Sequence, residues 1–166
     1  MIRCIFGIGL PVAGIILGFT LSGGRVGSLF HAAELIIVLG FVLGGLITAY
    51  GFSDIRKMIS SALTSGEPSV DRLRVNIMIC EGGSKFSLYG GFVACVLGVI
   101  VTLAHMGGDV NVTGAHYSAA ATGLILGAAT AGIIFQPLKF RFLNLLNERE
   151  EFKQSKPENQ NEKAMS

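Results

Sequence analysis

Glu34 and His105 are the ionisable residues closest to the long apolar stretches of this chain. A carboxylate or an imidazole within a membrane is costly and usually serves to move protons or ions. Both lie at the edge of their stretches, so an interfacial role competes with a proton-relay role. No acid lies well inside any stretch. The chain therefore cannot relay protons through its own carboxylates, and any ion path needs a titratable group from a partner. Thr122 and Thr130 lie roughly on one helix face and could line a pore, or could bond their own backbone. His31, His105 and His116 are kept apart by Gly-rich stretches, and no metal site is expected from them. Cys4, Cys80 and Cys95 form no C-x-x-C pair and read as ordinary thiols. There is no nucleophile with a base, no P-loop and no nucleotide fingerprint. No enzyme activity, cofactor or nucleic-acid partner is expected.

The elements that hold these residues follow from composition. The chain is 51% hydrophobic and 14% charged, with a mean hydropathy of +0.61, where a soluble domain carries about 25% charge. The charge collects between Ser53 and Lys85 and after Leu138. This leaves four uncharged runs, Cys4–Leu21, Leu35–Phe52, Phe86–Ala104 and Tyr117–Leu138. The shortest of them holds 18 residues (4 to 21). At ~1.5 Å per residue against a ~30 Å hydrocarbon core, each can span a bilayer as a helix. The expectation is an all-α, four-span protein made of two hairpins. Residues 1–52 hold spans one and two, 53–85 a short cytoplasmic loop, 86–138 spans three and four, and 139–166 an amphipathic helix and a disordered tail. The first run is longer than a signal-peptide core and lacks a small-residue cleavage site, so it reads as a retained helix. Of the 13 Lys and Arg, all but Arg25 fall on the side shared by the two termini and the 53–85 segment. That asymmetry places both termini in the cytoplasm.

Small residues repeat at four-residue spacing inside every run. They are Gly14 and Gly18; Gly40 and Gly44; Gly90, Ala94 and Gly98; and Gly123, Gly127 and Ala131. Such ridges let helix backbones approach closely in lipid. They predict a tight bundle and association with other copies, packing within one chain being the alternative. Pro11 predicts a kink in the first span, and Pro137 a bend into Phe140–Leu146. In the cytoplasmic segment, Ser53-Asp54 can cap a helical extension over Ile55–Leu63. A second short helix from Ser69 is expected to stop at Gly82-Gly83. From Lys153 onward nothing can be buried, and no structure is expected.

Ser22-Gly23-Gly24-Arg25-Val26-Gly27-Ser28-Leu29, continuing through Ala33-Glu34-Leu35-Ile36-Ile37-Val38 to Gly40, resembles the first-loop and second-span signature of the MotA/PomA flagellar-stator A subunits. Gly91–Ile100 resembles that family's third span, and Gly123–Leu138 its fourth, including the proline near the end. The ExbB/TolQ subunits share the plan more distantly. The resemblance implies a bacterial inner-membrane protein, with five A-type chains forming a ring around a single-span partner whose aspartate carries the ion. Three departures bear on function. Ser53–Lys85 is too short for the family's torque-generating cytoplasmic domain. Leu88 stands where the family usually has a proline. Leu124 stands where a hydroxyl faces the ion path. Leu88, Thr122, Leu124 and Thr130 are the candidate pore-lining positions, and Glu34 and Pro137 the interfacial ones. Two readings follow: an ion-conducting, ring-forming stator-type subunit, or a non-conducting membrane component of a secretion apparatus (type IVB, Dot/Icm-like).

Overall fold

The computed structural model describes residues 2–21, 32–63, 68–104 and 110–164, with side chains described at 10–21, 32–63, 68–104, 117–118 and 120–151. Every element is helical: α1 (Ile2–Leu21), α2 (Ala32–Leu63), α3 (Val70–Ala104), α4 (Val110–Ala129), a π segment (Thr130–Phe135) and α5 (Gln136–Ala164). Helix is what lipid demands, because a backbone without water must bond within its own segment.

Among the described residues, α2, α3 and the continuous helix Ala120–Glu151 are long and apolar enough to cross a membrane. That makes three spans by length and composition, against the four expected from the uncharged runs. The first run forms α1, whose described apolar part is the shorter Leu10–Leu21. Of the side chains in this stretch only Phe19 is as much as half-buried. The main helix contacts of α1 are with the π segment and α5. The expected His31, His105 and His116 positions and the turns around them carry no described side chains.

The described residues of the segment between the hairpins form two helix ends, as expected over Ile55–Leu63 and from Ser69. α2 continues to Leu63 through a kink at Gly51, where φ is 76° and ψ 155°. Only glycine enters this region without a Cβ clash. Ser69 caps α3: its Oγ accepts from the N–H of Arg72 at 3.3 Å, and its carbonyl accepts from Leu73 N at 2.9 Å. Contrary to expectation, α3 runs through Gly82-Gly83 without a break. These glycines serve packing instead. A side chain at Gly82 would meet the Tyr50 ring, and one at Gly83 would meet the ring of Phe135.

The bend expected at Pro137 takes the form of the π segment just before it. There the N–H of Gln136 reaches back to the carbonyl of Ala131. Pro137 offers no N–H, and its ring crowds the carbonyl four residues earlier; widening the preceding turn accommodates both effects, and the helix continues without interruption. Residues Phe140–Leu146 pack on the charged ends of α2 and α3. Phe142 is fully buried in the same cluster as Ile55, Met58, Leu73, Ile79 and Cys80. α5 is helical through Ala164, beyond the Lys153 limit expected from composition.

Candidate functional site

Two constructions organise the molecule: a seam of small residues between α3 and α4, and a charged three-helix end. In the seam the backbones touch. A Cβ on Gly127 would lie 2.6 Å from the carbonyl oxygen of Ser87 and 2.7 Å from Cα of Gly91. One on Gly91 would meet Gly127 Cα at 2.8 Å and the Gly123 carbonyl at 2.9 Å. Gly123 faces Ala94, and Gly98 faces Ala120, both at 2.7 Å. The stripe on α3 is thus Gly83, Ser87, Gly91, Ala94 and Gly98, mixing steps of four and three as a helix face does. Of the ridge expected at Gly90, Ala94 and Gly98, Ala94 and Gly98 lie on this stripe. Gly90 instead faces α2, with Phe41 Cβ at 2.9 Å and Val38 Cα at 3.2 Å. Gly83, Ser87 and Gly91 were missed in the sequence, although the mixed spacing was there to be read. Ala131 is buried at the end of the ridge.

Gly14, Gly18, Gly40 and Gly44 behave differently. Nothing lies within 4 Å of a side chain built on any of them. Their ridges are therefore open on the monomer surface.

The candidate pore-lining residues do not converge within the chain. Thr122 is buried and donates to the Ser118 carbonyl at 2.7 Å; half-buried Thr130 donates to the Leu126 carbonyl at 2.7 Å. Ser87 and Thr102 likewise donate to Gly83 and Gly98. Leu88 and Leu124 are each 47% exposed and face outward. Glu34 is buried at the start of α2, and among the described residues its Oε2 has no hydrogen-bond partner. Pro137 is half-buried.

The charged end ties three helices together. Arg72 of α3 grips Asp54 of α2 twice: Nη1 donates to the carboxylate at 2.8 Å and Nη2 to the backbone carbonyl at 2.7 Å. Glu81 pairs with Lys85 at 3.0 Å through one oxygen and with Lys139 of α5 at 3.2 Å through the other. Arg141 Nη1 donates to the Ala62 carbonyl at 2.7 Å, one of the last carbonyls of α2, where a cation also suits the helix dipole. Arg74 meets Glu150 at 2.9 Å. Beneath these pairs lie the apolar side chains around Phe142, together with Asn76, whose amide nitrogen and oxygen have no protein partner.

Hydrogen bonding from Arg72 holds the Asp54 carboxyl below its ordinary 3.8, and bonding from Lys85 and then Lys139 holds Glu81 below 4.5. Both carboxyls bind protons less readily in the folded state, so their contribution is complete above those ordinary values and fades as pH falls below them. The melting temperature in detergent is expected to be flat from neutral pH to about 5 and to drop below about 4. Glu81→Gln should flatten part of that drop; an unchanged acid limb in this variant would show that Glu81 does not couple the helices. Burial pushes the Cys80 thiol up to about 12, which makes it an inert core residue.

Residues 5–70 match the family described as motility protein A, N-terminal. Over that region the chain is similar to the MotA-type family. The matched residues take in most of α1, the whole of α2 and the start of α3, including the Gly51 kink and the Asp54 end of the clamp. The α3–α4 seam lies beyond the matched region. No curated protein matches the chain.

Proposed function

We propose that this chain is a MotA-type inner-membrane subunit that assembles with copies of itself into a ring around a single-span partner bearing an acidic residue. The observation that carries the reading is the match of residues 5–70 to the motility protein A N-terminal family. It is supported by the absence of any Asp, Glu, Lys or Arg between Leu35 and Phe52, Phe86 and Ala104, or Tyr117 and Leu138. Ion movement along such a subunit uses a carboxylate supplied by the partner. α1, at 20 residues and ~1.5 Å each, is long enough to act as the fourth span. With four spans, the lysine and arginine distribution puts both termini and the charged end in the cytoplasm.

A second reading, a non-conducting scaffold within a secretion apparatus, draws on Leu88 and Leu124. Both are outward-facing and apolar where the stator resemblance implies a proline and a hydroxyl. Purification in mild detergent separates the two, with mass spectrometry of co-purifying chains and imaging of particle symmetry. A five-fold ring holding a single-span, Asp-bearing chain is the expected result. Particles containing secretion subunits and no such chain would overturn it in favour of the scaffold.

A further inference from the structure

Two cavities between α2 and α3 share Ala49, Phe86 and Tyr89 in their walls and so form one groove. The membrane-facing part holds about 500 Å³, and the part towards the charged end about 420 Å³. Its floor is the open ridge of Gly40 and Gly44. A side chain at Gly45 would lie 2.6 Å from the Phe86 ring, so the glycine there lets that ring rest against α2. At the charged end Tyr50 donates its hydroxyl to the Met78 carbonyl at 2.9 Å, which pins α2 to α3 just before the Gly51 kink. Lys85 and Glu81 line this mouth. With Lys139 they form a trio of two cations and one anion, net +1, and the Lys85 side chain is 61% exposed.

We infer that this groove seats one acyl chain of an anionic phospholipid from the leaflet on the charged side, with its phosphate at Lys85. Depth is the first argument. From Gly40 to Tyr50 is ten residues, ~15 Å at ~1.5 Å per residue, which is half of a ~30 Å hydrocarbon core. The groove therefore spans one leaflet and ends, whereas a helix of a neighbouring copy would follow α2 across both. The second argument is chemistry. An apolar slot bounded by Phe41 and Phe86 opens at Tyr89, 58% exposed, and Lys85. Aromatic residues with a polar tip suit the headgroup boundary, and basic pockets between helices on the cytoplasmic side suit lipid phosphates. Glu81 spends one oxygen on each lysine, while each ammonium keeps donors to spare. The inference rests on the membrane placement of the chain and not on ion conduction or the identity of any protein partner.

The test is native mass spectrometry of the full chain in detergent, mixed with equal amounts of phosphatidylglycerol and phosphatidylcholine. The wild type is expected to keep phosphatidylglycerol in preference. Lys85→Gln should lower that retention about fivefold, the effect of one lysine near a lipid phosphate. Gly44→Leu, whose Cβ meets nothing within 4 Å and whose side chain enters the groove, should abolish retention of both lipids while the thermal melt stays that of the wild type. Equal retention of the two lipids, or retention unmoved by Lys85→Gln, overturns the proposal. So does a Gly44→Leu chain that keeps its lipid and loses its oligomer, because the groove would then hold a helix of another copy. Should Gly44→Leu fail to fold, the Lys85→Gln comparison decides alone.

Discussion

Gly127→Leu is expected to unfold the helical unit itself, before any question of assembly arises. Its new Cβ would sit 2.6 Å from the Ser87 carbonyl oxygen and 2.7 Å from the Gly91 Cα, and both are backbone atoms of a helix buried on that face. A flexible side chain can swing away from an intruding methyl group, but a backbone cannot. The relief available is to move α3 and α4 apart along the whole seam, which also pulls Ala94 from Gly123 and Ala120 from Gly98. Overpacking of a core costs ~1–3 kcal/mol, and displacement of two helices belongs at or above the top of that range. The measurement is thermal loss of helical circular dichroism in detergent, with Gly44→Leu as the control. A Cβ at that control position meets nothing within 4 Å, so its melt should match the wild type. If Gly127→Leu melts with the wild type and alters only oligomer size, the seam is not the core of the single chain.

The same pair of glycines shows what could be read without coordinates. Both stand at four-residue spacing in uncharged runs, and spacing alone made them equal candidates for helix contact. The difference lies in tertiary placement: Gly127 faces α3 within the chain, while Gly44 faces open space. No local pattern distinguishes them, because a ridge of small residues states how close a neighbour can come and not which neighbour comes. The helical class, the first residues of α2 and the last of α3 followed from the uncharged runs, since lipid leaves the backbone few alternatives. Gly82-Gly83 misled for the opposite reason. Their breaking tendency, about 1 kcal/mol each, is small beside the packing of the Tyr50 and Phe135 rings that they admit. The charged clamp was illegible because its partners lie far apart in the chain. Arg72 and Asp54 are 18 residues apart, Lys139 and Glu81 are 58, and Arg141 and Ala62 are 79. Only the docking of α5 brings the last two pairs together.

That docking is governed by Phe142, so Phe142→Ala is expected to release α5 from the charged end. The ring is fully buried in the cluster that contains Ile55, Met58, Leu73, Ile79 and Cys80, with Leu145 and Leu146 packed at its margin. Removing a buried aromatic side chain costs ~3–5 kcal/mol through lost transfer energy and the cavity left behind. The ion pairs across the same junction are weaker holders. Arg74 and Glu150 are 62% and 45% exposed, and Lys139 and Glu81 are 27% and 46% exposed. Exposed pairs of this kind hold weakly, and salt weakens them further. Limited proteolysis of the detergent-solubilised chain separates the two contributions. Phe142→Ala should open cleavage after Lys139, Arg141 and Arg149 while the α3–α4 seam stays protected, since that seam shares no atom with the ring's cluster except through Ala94 and Phe135 at its border. Raising the salt to about 0.5 M on the wild type should leave α5 protected, because screening at that strength acts on the pairs and not on the buried ring. If salt alone exposes those sites and Phe142→Ala does not, the charges hold α5 and the aromatic core follows them.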